Sequence, residues 1–373
     1  MTIAVVYPQF YTVAGIARYL ESWLANRPAD AEPMLLITDA PSGAAPAFPG
    51  VEIIHVPIAA NQARAPLLKW GLEVRALLIR LHAQGRINCV NYHFPPLIPG
   101  LVLPAHIPMI LTAHTTYLGM SGRFYPEQHY RGQWSATSLA IKMWMERRIL
   151  AHACKAITLT EQGRAELLRY GYKGPIAVIP NGADTAHFFP DRSVEKQVDV
   201  LFAGRIEKRK GSRPMAELCK LLVAARPDIR IAIIGYGDDD EWVAAQLGPL
   251  QPAVRMLGKI PFAQMNAFYN SSHVYASTSY YEGLPGTCLE AMAAGLPAVV
   301  WDFPFYEGLV RDGLTGAVIR PNDLTAMRDR ILALLAEPAL LRTWGAAGRD
   351  WLVSRYDWRK LAAQLVTEMT APT

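Results

Sequence analysis

Short runs of consecutive apolar residues alternate along the chain with longer stretches whose apolar positions recur every three or four residues. In the first half, the runs 3–7, 34–38, 51–56, 87–92, 109–113, 156–160 and 176–179 predict strands. The stretches 15–26, 67–82, 137–152 and 161–170 predict helices. Continuous apolar strands separated by helices predict a parallel sheet covered on both faces. The pattern then restarts, with strands expected at 198–203, 229–234, 254–257, 274–277, 298–301 and 317–319. Helices are expected at 211–225, 241–247, 262–270, 288–294 and 324–336, followed by two helical stretches at 338–356 and 358–369.

A polar, Pro-bearing stretch at 184–197 separates the two patterns. The expected organisation is therefore α/β: a Rossmann-like domain at 1–184, a linker at 185–197, and a second Rossmann-like domain at 198–355. Residues 356–373 are expected to form a helix that returns to the first domain. Sheets of this kind bind ligands beyond the carboxyl ends of their strands, and two such edges can face each other across a cleft.

Composition narrows the function. The chain is 51% apolar and 18% charged, which excludes a disordered class. Its formal net charge is +5, and residues 1–185 hold 16 Lys and Arg against 11 Asp and Glu, whereas the remainder balances at 21 against 21. An excess confined to the first half suits an anionic partner or an acidic membrane surface, and is too diluted by acids for nucleic acid. The four cysteines, Cys89, Cys154, Cys219 and Cys288, form no CxxC pair. That spacing argues for reduced thiols in a cytoplasmic protein and against structural zinc. The opening residues lack the basic and apolar regions of a secretory signal, and prolines break the most apolar stretch, 94–112, so no continuous membrane helix is expected there.

The sharpest local signal is Gly204-Arg205-Ile206-Glu207-Lys208-Arg209-Lys210-Gly211, directly after a predicted strand and before a helix. Amides at the helix start and the Arg205 guanidinium can hold phosphate oxygens, with Lys210 adding a point charge. The spacing is not that of a Walker loop, and a basic surface loop is the alternative reading. A second signal spans Tyr281 to Pro297, where Glu282 precedes a glycine-containing turn and Glu290 lies eight positions on, in a short helix. The two carboxylates can bracket a ligand and accept hydrogen bonds from sugar hydroxyls. Thr287 and Glu290 also have capping-box spacing, so Glu290 can equally serve its own helix. In the first half, Gly15 stands between a strand and a helix without a GxGxxG pattern, which counts against a nicotinamide site. His114 and His93 each follow an expected strand, where a histidine can meet a substrate hydroxyl or act as a satisfied core residue. Asp238-Asp239-Asp240 superficially suggests a metal-binding DxD, but at a helix start its better reading is capping and dipole complementation.

Taken together, these residues resemble the retaining glycosyltransferases of family 4, which have the GT-B architecture of two facing Rossmann-like domains. The resemblance covers nearly the whole chain. Ile179-Pro180-Asn181-Gly182-Ala183-Asp184 with Phe188 and Pro190 looks like the family's interdomain segment. Gly204-Arg205 to Lys210-Gly211 looks like its phosphate-binding stretch, and Glu282 to Glu290 like its Glu-x7-Glu signature. Asp312-Gly313-Leu314-Thr315-Gly316, then Pro321-Asn322-Asp323, is similar to a further family stretch.

The resemblance implies that Arg205 and Lys210 neutralise a donor diphosphate, Glu290 binds the nucleotide ribose and Glu282 contacts the donor sugar. It also implies that amides near Gly286, Thr287 and Cys288 meet phosphates or sugar, and that Met256 meets the base through its backbone. His114 would lie near the donor sugar hydroxyls, and Gly15 would let its loop approach the phosphates. Two departures stand out: Ala14-Gly15 replaces a Gly-Gly pair, and Gly283-Leu284-Pro285 replaces Gly-Phe-Gly, removing one amide donor.

The implied reaction moves a hexose from a nucleotide diphosphate sugar to the hydroxyl of a glycan, lipid-linked sugar or small molecule, with retention and no cofactor or metal. In the family's front-face mechanism, the leaving phosphate takes the acceptor proton. Two other readings share the architecture: a nucleotide-sugar epimerase and a sugar-nucleotide-binding scaffold without turnover. The basic, Trp-bearing stretch 64–86 reads either as a helix covering the sheet or as a helix at an acidic membrane surface, which would make the protein cytoplasmic and peripheral.

Overall fold

The computed structural model describes residues 2–11, 15–41, 46–58, 66–130 and 134–371. It divides into two compact units, one of Met1–Gly119, Trp134–Asn181 and Trp358–Thr373, the other of Met120–Gln133 and Gly182–Asp357.

The first unit carries a parallel seven-stranded sheet. Its strands are β1 (Ile3–Val6), β2 (Met34–Thr38), β3 (Val51–His55), β4 (Cys89–Phe94), β5 (Met109–Ala113), β6 (Ala153–Thr158) and β7 (Ile176–Val178). They pair in the order β3-β2-β1-β4-β5-β6-β7. The connecting helices are α1 (Gly15–Ala25), α2 (Pro66–Ala83), α3 (Ile98–Leu101), α4 (Ala136–Leu150) and α5 (Glu161–Arg169). Side-chain oxygens of Ser135 and Thr160 cap α4 and α5 by accepting from the Ser138 and Gly163 amides. In α2, Trp70, Val74, Leu78 and Leu81 fall on one face and are buried against the sheet, and the Trp70 indole donates to the Val56 carbonyl at 2.8 Å. Burying one such side chain contributes roughly 1.5–3 kcal/mol.

The second unit carries a parallel six-stranded sheet of β8 (Val198–Ala203), β9 (Ile231–Ile234), β10 (Val254–Gly258), β11 (Ser272–Ser277), β12 (Ala298–Trp301) and β13 (Gly316–Ile319). The order is β10-β9-β8-β11-β12-β13. Its helices are α6 (Ser212–Ala225), α7 (Asp240–Leu247), α8 (Phe262–Asn270), α9 (Gly286–Ala293), α10 (Leu324–Ala336) and α11 (Pro338–Arg355). The last helix, α12 (Trp358–Thr370), packs in the first unit, where Trp358 meets Tyr19 of α1 edge-on at 4.9 Å. In each sheet the strand order reverses beside the first strand, between β1 and β4 and between β8 and β11, which opens a crevice at the carboxyl edge.

Two predicted strands move: the one expected at 156–160 runs earlier, as β6 (Ala153–Thr158), and the one expected at 87–92 runs later. The apolar pattern places a strand at 87–92 with His93 beyond its end, but β4 runs through Phe94 and His93 lies buried inside it. Hydrogen bonds between polar side chains make this affordable. Asn91 donates to Ile110 and Thr112, so the core tolerates polar residues that an apolar pattern reads as a strand end.

The stretch after Asp184 is not in a regular element but is pinned to α8. Asn266 and Asn270 side chains accept from the Phe189 and Asp191 amides, and the buried Phe188 ring meets Phe262 and Tyr269.

Candidate functional site

In the second unit, the loops leaving β8 and β11 meet at the point where strand order reverses. A pocket there is lined by Gly204, Arg205, Lys210, Ser279 and Glu282. Glycine is required for this approach: a Cβ on Gly211, whose φ is +72°, would sit 1.8 Å from the Thr278 carbonyl oxygen.

Lys210 and Glu282 form an ion pair across the pocket, and the Ser279 hydroxyl donates to the same carboxylate at 3.0 Å. Burial lowers the Lys210 pKa, and Glu282 only partly restores it. Arg205 points outward, with 62% of its side chain exposed, and lies 3.3 Å from Glu207. Arg209, which the sequence did not single out, has only 13% of its side chain exposed. It binds Glu207 at 2.5 Å and donates to the Tyr281 carbonyl at 2.9 Å. Burial pushes the Glu207 carboxyl upward, but Arg209, Arg205 and Lys210 outweigh it and leave it below the usual range. A short 3-10 turn at Lys208–Lys210 thus separates three cations: Lys208 is exposed, Arg209 braces the loop and Lys210 faces the pocket.

Glu290 does not cap its helix. Pro285 occupies the N-cap position of α9 with no side-chain cap bond, and the Glu290 carboxylate instead accepts from the Tyr269 hydroxyl at 2.7 Å. The Thr287 hydroxyl lies 3.0 Å from that of Tyr275, a pocket-lining residue. Gly286 and Thr287 stand at the first helical positions, where amides have no intrahelical partner. The Cys288 amide donates to the Pro285 carbonyl at 3.1 Å and its thiol is buried, with burial raising the thiol pKa. Met256, in the edge strand β10, pairs with Ile233 of β9, next to a register shift before Gly258.

Of the aspartate triplet, Asp239 holds the N-cap position of α7 but does not cap it. Its carboxylate accepts from the Ser212 hydroxyl and pairs with Arg213 at 3.1 Å, tying α6 to α7. Asp240 and Glu241 lie in the first turn of α7, where they complement the dipole. Among the described residues, no group of three or more His, Cys, Asp or Glu side chains is arranged to hold a metal.

In the first unit, Gly15 begins α1, and a Cβ there would meet nothing within 4 Å. Ala14 and Arg64 lie outside the described residues. One turn further, the Tyr19 ring stands edge-on to His114, with centroids 4.7 Å apart. His114 is buried, and burial lowers its pKa to about 3. Its Nε2 lies 2.9 Å from His93 Nδ1, and His93 Nε2 lies 2.6 Å from the Asn91 side-chain oxygen.

Two helices of this unit present cations among exposed apolar side chains. Trp70 of α2 is buried, whereas Leu68, Leu72 and Ile79 are exposed beside Lys69, Arg75 and Arg80. On α4, Ile141 and Trp144 are 55% and 56% exposed, near Arg147 and Arg148. Among the described residues, no helix is long and apolar enough to cross a membrane.

Comparison with known proteins follows this division. The sequence profile of "Glycosyltransferase Family 4" matches residues 13–187, and that of "Glycosyl transferases group 1" matches residues 184–351. Phosphatidyl-myo-inositol mannosyltransferase of Mycobacterium leprae is 33% identical over 169 residues, 45% of either chain. This chain therefore spans about half the length of the curated relatives it matches. Among solved structures, sucrose-phosphate synthase from Thermosynechococcus elongatus superposes with a TM-score of 0.81 at 19% identity, covering 99% of this chain and 98% of its own. Anabaena HepE in complex with UDP and glucose gives 0.77 at 16% identity over the whole of both chains. These superpositions establish the GT-B fold class of two parallel-sheet α/β units. With the two profiles meeting at residues 184–187 and together spanning residues 13–351, the chain belongs to the family 4, or group 1, glycosyltransferases.

Proposed function

We propose that this protein transfers a sugar from a nucleotide diphosphate sugar to an acceptor hydroxyl, with retention at the anomeric carbon. The observation that carries the reading is the Lys210–Glu282 pair beside Arg205 at the reversal point of the second sheet. Arg205, Lys210 and the amide-bearing start of α9 neutralise the departing diphosphate, so the chain's own groups supply the charge stabilisation. Glu282 accepts from hydroxyls of the donor sugar, Glu290 from the ribose, and the Met256 backbone meets the base. Gly15 leaves space for a phosphate oxygen to approach α1, and His114 meets a donor hydroxyl. As the glycosidic C–O bond breaks, the acceptor oxygen attacks the same face of the anomeric carbon, and its proton passes to the leaving phosphate oxygen. A nucleotide diphosphate sugar as donor is supported by HepE, solved with UDP and glucose.

The acceptor is a glycan, a lipid-linked sugar or a small molecule, and we favour one presented at an acidic membrane surface. The support is the cation-bearing apolar face of α2 and α4, together with mannosyltransferase relatives that carry phosphatidyl-myo-inositol in their name. In this reading the protein is cytoplasmic and peripheral, so it should sediment with vesicles containing anionic lipid and not with neutral ones.

The deciding experiment is a thermal-shift screen with UDP, GDP, ADP, TDP and their common sugars. A ligand at a hundredfold excess over its dissociation constant stabilises the native state by about 2.7 kcal/mol. One clear winner, consumed when acceptor is added and unaffected by chelator, supports a metal-independent transferase. Binding without consumption supports a scaffold, and no shift with any nucleotide overturns the diphosphate site.

A further inference from the structure

Behind His114 lies a chain of polar side chains that the reaction as described does not use. The Asn91 amide nitrogen donates to the Ile110 carbonyl at 3.2 Å and lies 2.9 Å from the Thr112 hydroxyl. Those bonds fix the side chain so that its oxygen faces His93 Nε2, at 2.6 Å. An amide oxygen only accepts, so His93 carries its proton on Nε2. In a neutral ring, Nδ1 is then an acceptor, and it faces His114 Nε2 at 2.9 Å. His114 is therefore the donor in that bond, with its proton on Nε2 and a lone pair on Nδ1. Both rings are buried and burial holds both neutral, which keeps this chain of assignments in force at ordinary pH. No partner for His114 Nδ1 is found among the described residues, and 7% of the residue remains exposed. Tyr19 lies edge-on to His114 and Trp23 stacks obliquely near His93, so aromatic walls hold the two rings in place.

We infer that Asn91 and His93 are positioning residues that lock His114 in the Nε2-protonated tautomer, so that its Nδ1 accepts a hydrogen bond from a substrate hydroxyl. The inference rests on the proposed role of His114 in sugar transfer, but the tautomer can be tested without any substrate. A ring locked this way discriminates: it holds a hydroxyl, which can donate, and rejects a group that can only accept. An unlocked ring turns its N–H toward the substrate for part of the time and loses that hydrogen bond.

The first test is nitrogen-15 NMR of the ligand-free, histidine-labelled full chain, with His114→Phe and His93→Phe used for assignment. The expected spectrum shows His114 protonated at Nε2 and bare at Nδ1, unchanged from mildly acid to mildly alkaline pH. A proton on Nδ1, or averaging between tautomers, overturns the inference. The second test is turnover of whichever sugar nucleotide gives the largest thermal shift. His93→Phe and Asn91→Leu are expected to convert His114 to a mixture of tautomers. They should lower kcat roughly tenfold, with affinity for UDP or GDP unchanged. Full kcat in a variant whose His114 has become a mixture overturns the positioning role. A His114→Phe protein with wild-type turnover would instead remove His114 from the reaction while the wild-type spectrum still reported the lock, so the two failures are distinguishable.

Discussion

Lys210 and Glu282, 72 positions apart in sequence, neutralise each other at the mouth of the second sheet. The pair joins the loop after β8 to the loop after β11, and in the proposed function it engages the cation that a diphosphate would take. A bound diphosphate therefore competes with Glu282 for the Lys210 ammonium. Glu282→Gln should tighten binding of UDP or GDP several-fold while slowing transfer. Lys210→Ala should weaken binding by the loss of a charged hydrogen bond, about 1.5–3 kcal/mol, or roughly ten- to a hundredfold. Isothermal titration of the three proteins with the nucleotide that binds decides the matter. Identical affinities would take the ammonium out of the site.

Arg205 and Arg209 share Glu207 but have opposite roles. Arg209 is largely covered and binds Glu207 and the Tyr281 carbonyl, whereas Arg205 is mostly exposed. Arg209→Ala removes the nearest partner of the Glu207 carboxylate, which Arg205 and Lys210 still face, so it should cost about 1.5–3 kcal/mol. Arg205→Ala should leave stability within about 1 kcal/mol, since exposed ion pairs contribute little, and should weaken nucleotide binding. Urea unfolding and nucleotide titration of both variants separate brace from ligand. Equal destabilisation by the two would dissolve the distinction.

What separates these arginines is invisible in the sequence, where Lys208-Arg209-Lys210 is a run of equivalent cations. Only the 3-10 turn decides which side chain goes inward. Strands and most helices were legible because fully buried parallel strands leave unbroken apolar runs. The same reasoning misplaced the end of β4, whose Asn91 and His93 are buried but bonded to one another. Of the two readings that the sequence left open for Glu290, the cap with Thr287 does not form, because α9 starts earlier, with Pro285 at its N-cap position. No periodicity marks residues 120–130, yet Gln128 donates to the Tyr280 carbonyl at 3.1 Å and Tyr130 stacks on Tyr280 within the second unit. Some of the family resemblance proves to be scaffold. Asp184 accepts from the Ala186 and His187 amides, and Asp312 from the Val318 amide, so both hold turns.

Gly211 sets how closely α6 approaches the end of β11. Alanine there would need a left-handed backbone and would press its Cβ into the Thr278 carbonyl, which also receives support from the Thr278 hydroxyl bonding the Gly211 oxygen at 2.9 Å. Backbone strain of this kind costs about 1–3 kcal/mol and the clash adds to it. Gly211→Ala should therefore lower the midpoint of unfolding and abolish nucleotide binding together. Gly15→Ala is the contrast: its Cβ meets nothing, so stability should hold while nucleotide affinity falls, as read by thermal melts with and without ligand. Unchanged affinity in Gly15→Ala would remove that loop from the phosphate site.

Glu146 makes the first unit sensitive to alkali. The carboxylate is buried in α4, accepts from the Tyr117 amide at 2.9 Å through both oxygens, and also receives the Tyr170 hydroxyl. Burial pushes its pKa up to about 8; the Tyr170 and Tyr117 bonds and Lys142 pull it down, while nearby Glu166 adds to the rise. The unfolded chain loses this proton near 4.5, so between 4.5 and about 8 the native state holds a proton that the unfolded state has released. The stabilisation is thus complete below 4.5 and lost as pH rises through 8. His93 and His114 act in the opposite sense. Their folded pKa values lie below 6.5, His114 at about 3, so their contribution is present above 6.5 and lost as pH falls. Stability of this unit should therefore decline on both sides of a broad optimum. Glu146→Gln keeps the shape of the protonated acid and removes its titration. Its melting temperature should fall less than that of the wild type between about pH 6 and pH 9, and should rise more steeply from about pH 4.5 to pH 6.5, where Glu146 no longer opposes the two histidines. Parallel curves for the two proteins across that interval would show that Glu146 enters the folded state already ionised.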